Sequence, residues 1–459
     1  MRENASFTSK AGLIMAAAGS AVGLGNIWKF PYIAGENGGG AFLLVYLVCV
    51  LFFGLPLVMT EFLIGKRSSK SAYGAFRTLS GNESRSWQWL SWLSMVTSFL
   101  IMGFYFVVTG WCFNYLVEAF SHVFDGMGAE ELTAHFSSFV THSPRMILFS
   151  IVPVLLTAAV LWLDVNKGIE RLSKVLMPLL LVMMLVMAGR VLMLEGSNIG
   201  MQFFFGMDFS KITPKVVLEA MGQCFFSLSI GMGALITYGS YMPKNQNVLA
   251  TSVQVIVLDT LVAVLAGIIV FPAVFAFGFD PTEGPQLVFV VLPAIFEQMS
   301  FSWFSGVLFF GLLCIAALTS TISLMEVVVA FMCEASEESG NRKDGKPHKP
   351  LNRHQSVLLV SCLVIVLCVL SMTGDVSWLK VFGYNLFDGF DKLTSCLAMP
   401  LGALGMALFV GWFMPQSPKG RLYADNPVKQ AGTQLYILAL RWLVPIAIVV
   451  ILLDSIGML

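Results

Sequence analysis

The sequence predicts an all-α polytopic membrane protein with eleven transmembrane helices, and three observations predict it. The chain of 459 residues is 57% hydrophobic and only 12% charged, with a mean hydropathy of +0.80. Soluble chains carry about 25% charged residues, so a chain this apolar needs the bilayer as its solvent. Its apolar residues gather into runs of spanning length, separated by short polar stretches. Lys and Arg crowd into alternate loops, the asymmetry that sets orientation in a membrane.

A spanning helix needs about 20 mostly apolar residues. By that measure the spans cover 11–34, 40–66, 88–122, 145–163, 168–190, 215–241, 249–279, 303–334, 355–373, 388–413 and 432–455. We number them 1 to 11. Several exceed the minimum, so tilt or protrusion is expected. Residues 286–299 are apolar but too short to cross, and read as a re-entrant or surface hairpin. The stretch 335–354 is polar and charged, and reads as a linker within one domain, 1–459. The N-terminal apolar stretch contains Gly-Leu-Gly-Asn and Lys29 and has no A-x-A site, so it reads as a retained first helix.

Charge places the N-terminus in the cytoplasm. With that orientation the inner loops hold Arg2 and Lys10, then Lys66, Arg67, Lys70, Arg77 and Arg85, then Lys167, Arg171 and Lys174, and a basic cluster from Arg342 to Arg353. The outer loops 35–40, 123–144 and 280–302 hold none. The expected location is the inner (plasma) membrane. The formal net charge of zero points to no nucleic-acid partner. Eight cysteines lie singly in or beside apolar runs, without CxxC spacing, and read as packing residues. His122, His135, His142, His348 and His354 fall in loops or at helix ends, and no HExxH motif occurs. Neither metal-dependent hydrolysis nor another intramembrane enzyme is indicated.

Two spans are interrupted. Span 1 contains Gly19-Ser-Ala-Val-Gly23-Leu-Gly25-Asn26, and span 6 contains Ser227-Leu-Ser-Ile-Gly231-Met-Gly233. Paired glycines invite unwinding. Unwound backbone is tolerated inside a bilayer only where it lines a cavity or is buried in protein. The two interruptions lie five spans apart. That spacing predicts two five-helix repeats, 11–190 and 215–413, with 432–455 as an extra helix, and a site where the two breaks meet.

The stretch GSAVGLGNIWKFPYIAGENGGGAF resembles the first helix and following turn of the neurotransmitter:sodium symporter family. The resemblance continues through GFYFVVTGW, GQCFFSLSIGMGALITYGSY and AALTSTISLME, and covers essentially the whole chain. The eleven-span form is similar to the bacterial amino-acid branch. The resemblance implies a leucine-transporter-like fold with a 5+5 inverted repeat. It also implies two sodium ions, no organic cofactor, and a monomer or weak homodimer working by alternating access.

Its site residues carry over position by position. The second sodium would meet the backbone carbonyls of Gly19, Val22 and Ala316 and the hydroxyls of Thr319 and Ser320. The first would meet the Ala21 carbonyl, Asn26, Ser227 and Asp259. Ser227 replaces the threonine of the leucine transporter, and Asp259 stands where many members have asparagine. The leucine transporter has a glutamate one turn later, where this chain has Ala263. A mid-membrane carboxylate is costly and functional by default, so Asp259 is expected to supply the fixed charge that makes transport chloride-independent.

An amino-acid carboxylate suits the exposed N–H groups at Leu24 and Gly25, where the half-helix dipole is positive, with the Tyr105 hydroxyl beside it. Carriers of monoamines place an aspartate near Gly23; here there is none. The amine would meet carbonyls near Ala21 and Phe226, with Ser229. Ile101, Val108, Phe226, Ser229, Met232, Ser320, Ser323 and Leu324 would line the side-chain pocket. Met232 replaces a phenylalanine and can yield to a large ligand, so hydrophobic or aromatic amino acids are expected. A sodium-dependent sensor, or a carrier of another small zwitterion, is the alternative.

Lys29 and Asp391 match the outer gate, with Phe226 and Tyr105 as its lid. Arg2 and Glu334, beside Tyr241 and Phe7, match the inner gate. Gly168 and Pro178 resemble the motif that lets the fifth helix unwind to release sodium.

Overall fold

The computed structural model describes residues 6–80, 85–141, 144–280, 287–340, 350–372, 384–414, 430–455 and 458. Helices dominate, and their ends fall within a few residues of the sequence-derived spans. Nine described helices are long and apolar enough to cross a membrane: Gly40–Ser68, Gln88–Phe120, Pro144–Trp162, Val165–Leu192, Val248–Ala276, Ser302–Glu338, Arg353–Met372, Leu386–Phe413 and Gln434–Ser455. A pair bent by 49°, Lys10–Ala21 with Gly25–Glu36, makes a tenth. Span 6 is divided into Pro214–Ser227 and Ala234–Ser240, of 14 and 7 residues. Each half is too short to cross alone, so the count of eleven holds only when those halves are joined.

Two expectations need amendment. Span 8 does not stop at 334; its helix continues to Gly340, into the stretch read as linker. Of the two readings of residues 286–299, the surface hairpin falls: Leu287–Val291 is a π-helical turn and Leu292–Gln298 a short helix, with most of their side chains buried. Stretches outside the expected spans also hold helices, at Ala72–Ser80, Ala129–Val140 and Ser197–Phe205. These are short and amphipathic, and their apolar faces pack on the bundle rather than span it.

Both interruptions form where glycine and cavity demand them. Span 1 leaves the α-helix at Val22, which turns extended (φ −68°, ψ 114°), and resumes as a π-helical turn, Gly25–Lys29. In span 6 the backbone takes left-handed angles at Ser229 (φ 55°), Gly231 (φ 91°) and Gly233 (φ 79°). Gly231 also lies against the Met399 backbone with no room for a Cβ. The first half of span 1 sits among spans 5, 7 and 8, while the second half of span 6 packs on span 2. Spans 3 and 8 make the most extensive contact in the molecule. The two breaks therefore meet in the interior, against the inner faces of spans 3 and 8.

Candidate functional site

Each break is pinned by hydrogen bonds, most of them to other helices. Across the first, the Gly23 N–H donates to Asn26 Oδ1 (3.1 Å), the Leu24 N–H donates to the Tyr105 hydroxyl (3.1 Å), and Gln223 Nε2 donates to the Gly25 carbonyl (2.8 Å). Across the second, the Ser229 hydroxyl donates to the Ser20 carbonyl, Ser98 to the Met232 carbonyl, and the Gly231 N–H to Glu61 Oε1, each at 2.8 Å. All are buried, where backbone polar groups freed from a helix must find partners. Sequence reasoning missed Ser20, Glu61, Ser98 and Gln223. The signal for Glu61 was present: a carboxylate amid the apolar run of span 2.

Between the breaks lies a small cavity of about 30 Å³, lined by Ser20, Ala21, Gly23, Gly25, Ile101, Tyr105, Phe226, Ser229, Met232, Ser320 and Leu324. Ten of these are expected site residues; Ser20 is the addition. The remaining expected members lie elsewhere. Leu24 and Val108 line a larger vestibule of about 410 Å³ on the other side of Tyr105 and Phe226, which face both spaces. Ser323 is not in the cavity wall: it is 1% exposed and donates to the Ser320 carbonyl of its own helix (2.8 Å), the ordinary back-bond of a helical serine. Ser227 joins the oxygen cluster described next. The wall is mainly apolar with a few hydroxyls, as in small-molecule sites.

Two groups of oxygens lie beside the cavity. In one, Asp259 is fully buried; its Oδ1 accepts from Asn26 Nδ2 and its Oδ2 from Ser227 Oγ, both at 2.8 Å. Tyr46, which was not anticipated, donates to Ser227 Oγ at 3.3 Å. In the other, the Ser320 hydroxyl spans the carbonyls freed at the break of span 1, Val22 (3.1 Å) and Gly19 (3.4 Å). Thr319 Oγ1 lies 3.0 Å from the Ala316 carbonyl, and Gly19 abuts the Thr319 Cβ. Hydroxyl, carbonyl and carboxylate oxygens are what a hard cation takes in place of water. Among the described residues no group of three or more His, Cys, Asp or Glu side chains forms a transition-metal site.

The two ends of the molecule differ. On the vestibule side Lys29 Nζ stands 3.7 Å from Asp391 and 4.4 Å from the centre of the Phe226 ring. That contact is loose, and the vestibule stays open around it. On the opposite side Glu326 is fully buried; Arg353 grips it with two bonds of 3.0 and 2.7 Å, and the Tyr241 hydroxyl donates to it at 2.7 Å. Phe7 packs edge-on against Tyr238 and Tyr241, and its N–H donates to the Tyr241 carbonyl. Glu334 accepts from the Ser71 N–H (3.0 Å) and hydroxyl, with Lys70 Nζ at 3.2 Å. Arg2 lies outside the described residues. The Glu326–Arg353 pair was not foreseen from sequence. Gly168 sits in a π-helical turn, Val165–Glu170, that follows Asp164 at φ 70°; Pro178 lies inside the helix Arg171–Leu192.

Comparison with known proteins gives this arrangement a place. The family described as the sodium:neurotransmitter symporter family matches residues 4–130 and 141–457. A sodium-dependent transporter of Bacillus subtilis, YhdH, is 37% identical over 99% of this chain and 98% of its own length. A sodium-dependent transporter of Methanocaldococcus jannaschii is 30% identical over 89% of this chain and 82% of its own. The crystal structure of MhsT in complex with L-phenylalanine superposes with a TM-score of 0.86 at 38% identity, covering 98% of this chain and all of that one. A leucine-transporter-like fold with two broken helices facing buried oxygens, matched by a family model over nearly the full length, identifies the chain as a member of the sodium:neurotransmitter symporter family.

Proposed function

We propose that this protein is a symporter that imports hydrophobic or aromatic L-amino acids, carries two sodium ions as cargo, and does not require chloride. One observation carries the reading: an apolar-walled cavity bounded by both backbone breaks, with a cluster of buried oxygens beside each. The substrate carboxylate would face the N–H groups at Leu24 and Gly25, which start the second half of span 1, beside the Tyr105 hydroxyl. The ammonium would face the carbonyl edge near Ala21 and Phe226. Ile101, Met232 and Leu324 offer an apolar seat for a large side chain. That the related MhsT has been crystallised with L-phenylalanine supports this class.

The first sodium would share Asn26, Ser227, Asp259 and the Ala21 carbonyl, and the second Gly19, Val22, Ala316, Thr319 and Ser320. Asp259 brings a negative charge to a wholly buried place; a cation there offsets the cost of keeping that charge out of water. In our reading the N-terminus faces the cytoplasm. The open vestibule then faces outward, and the Glu326–Arg353–Tyr241 contacts close the inner side. Spans 1–5 and 6–10 form the two repeats, and the bundle of spans 1, 2, 6 and 7 rocks against spans 3, 4, 8 and 9.

The test is uptake by purified protein in proteoliposomes with an inward sodium gradient. Labelled L-phenylalanine, L-tryptophan or L-leucine is expected to accumulate above equilibrium, to require sodium, and to be indifferent to replacement of chloride by gluconate. Sodium-dependent binding without accumulation would instead indicate a sensor. Failure of every hydrophobic amino acid to compete would indicate a different zwitterion.

A further inference from the structure

A buried carboxylate on the inner side takes no part in the ion clusters or in the Glu326–Arg353 contacts. Glu170 is 1% exposed and sits where the π-helical turn Val165–Glu170 meets the helix Arg171–Leu192. Its two oxygens gather four donors. The Thr8 N–H (2.7 Å) donates to Oε2; the hydroxyls of Thr8 (2.8 Å) and Ser9 (2.9 Å) and the Lys174 ammonium (2.6 Å) all reach Oε1. Three of the four belong to the segment leading into span 1. Ser9 is also the N-cap of Lys10–Ala21, accepting from the Gly12 N–H at 3.0 Å. Gly12 faces Glu170 so closely that a Cβ there would collide with the carboxylate.

We infer that Glu170 is a positioning residue that latches the first half of span 1 to the start of span 5, so that the two must part together when the inner side opens. The inference rests on the alternating-access reading above. The latched half-helix carries Gly19, Ala21 and Val22, whose carbonyls border the proposed ion sites. Just before it, Phe7 meets Tyr238 and Tyr241 edge-on and donates a backbone bond to the Tyr241 carbonyl. Among the described residues, Glu170 is the charged group that Thr8 and Ser9 hydrogen-bond and that Gly12 abuts. Its own support is easily rearranged: Asp164 is left-handed, and the adjoining turn is π-helical rather than α-helical. Hydrogen bonds to a charged acceptor are about twice as strong as neutral ones. Losing the charge therefore weakens the closed inner side selectively and leaves the cavity and the vestibule untouched.

The experiment compares maleimide labelling at two cysteines introduced one at a time in full-length purified protein, with Cys333, Cys362 and Cys396 replaced by serine and the labelling of that parent, which keeps five buried cysteines, subtracted. Ala17→Cys lies buried in the latched half-helix, and Phe387→Cys lines the vestibule. Glu170→Gln is expected to raise labelling at position 17 by about tenfold in sodium and to lower labelling at position 387, a reciprocal shift of one two-state equilibrium. Lys174→Met, which leaves the Thr8 and Ser9 bonds in place, is expected to shift both sites in the same directions by a smaller factor. If both positions label faster together, the substitution has only loosened the protein and the latch is wrong. If neither changes while the parent still responds reciprocally to sodium and to L-phenylalanine, the latch is also wrong. If the parent itself shows no reciprocal response, alternating access fails and the latch falls with it. Should Glu170→Gln not fold, Thr8→Val, which removes one donor, carries the same pair of measurements.

Discussion

Asp259 concentrates the electrostatics of the site. It is fully buried, and its partners Asn26 and Ser227 donate to it from both broken helices. Asn26 turns its amide NH₂ toward the carboxylate and its Oδ1 toward the Gly23 N–H. Replacing Asp259 with asparagine keeps the shape and removes the charge. The expected outcome is sodium affinity weakened by about tenfold or more, together with a new stimulation of uptake by chloride, measured as uptake against sodium with chloride or gluconate. Unchanged uptake in gluconate would show that the fixed charge lies elsewhere. Gly23 makes a complementary point. A Cβ there would sit 2.6 Å from the Tyr105 hydroxyl and closer still to Ser320 Oγ. Gly23→Ala is therefore expected to lower substrate affinity at least tenfold and to lower thermal stability as well, because moving Tyr105 and Ser320 breaks their buried bonds to Leu24 and Val22. Equilibrium binding of labelled L-phenylalanine and a thermal unfolding curve measure the two effects.

At the scale of elements, the two breaks were legible because glycine pairs are rare punctuation in an apolar helix, and because they recur five spans apart. What the sequence did not disclose is how they are held. Ser98, Glu61 and Gln223 act through contacts between residues from 134 to 198 positions apart, and no local pattern encodes such distances. The bond from Tyr241 to Glu326 has the same origin: Glu326 and Glu334 lie on one helix, and only packing tells that the hydroxyl meets Glu326. Gly231 tests whether the second break is imposed by geometry. It is left-handed and pressed on the Met399 backbone, so Gly231→Ala is expected to cost about 1–3 kcal/mol and to lower the unfolding temperature. Gly222→Ala, in the regular half-helix with open space around its Cα, should be neutral or stabilising. Pro178 bears on the other mobile element. It lies inside span 5 and leaves one backbone bond unmade. If unwinding there admits water to the second sodium, Pro178→Ala slows sodium release, seen as slower decay of fluorescence from an inner-side reporter after sodium is diluted. An unchanged rate would remove span 5 from the release route.

For the whole molecule, hydropathy located every span to within a few residues, since a helix must fill about 30 Å of hydrocarbon. Short helices on the bundle surface and the continuation of span 8 to Gly340 escaped it, because polar and amphipathic turns cross no membrane. The proposed stoichiometry has its consequence at this scale. Two sodium ions moving with a zwitterion carry two net charges inward, and each is worth about 2.3 kcal/mol per 100 mV. Two charges thus supply about 4.6 kcal/mol at that potential, enough for roughly thousandfold accumulation before any sodium gradient is added. One charge supports only about fiftyfold. Proteoliposomes with equal sodium on both sides, and potassium gradients set with valinomycin, isolate this electrical term. The logarithm of the accumulation ratio is expected to rise with voltage at a slope of two charges. A slope of one would leave a single charge moved per cycle, through one sodium site alone or through export of a proton. A flat line would mean that neither oxygen cluster delivers its ion across the membrane, although both remain competent to bind it.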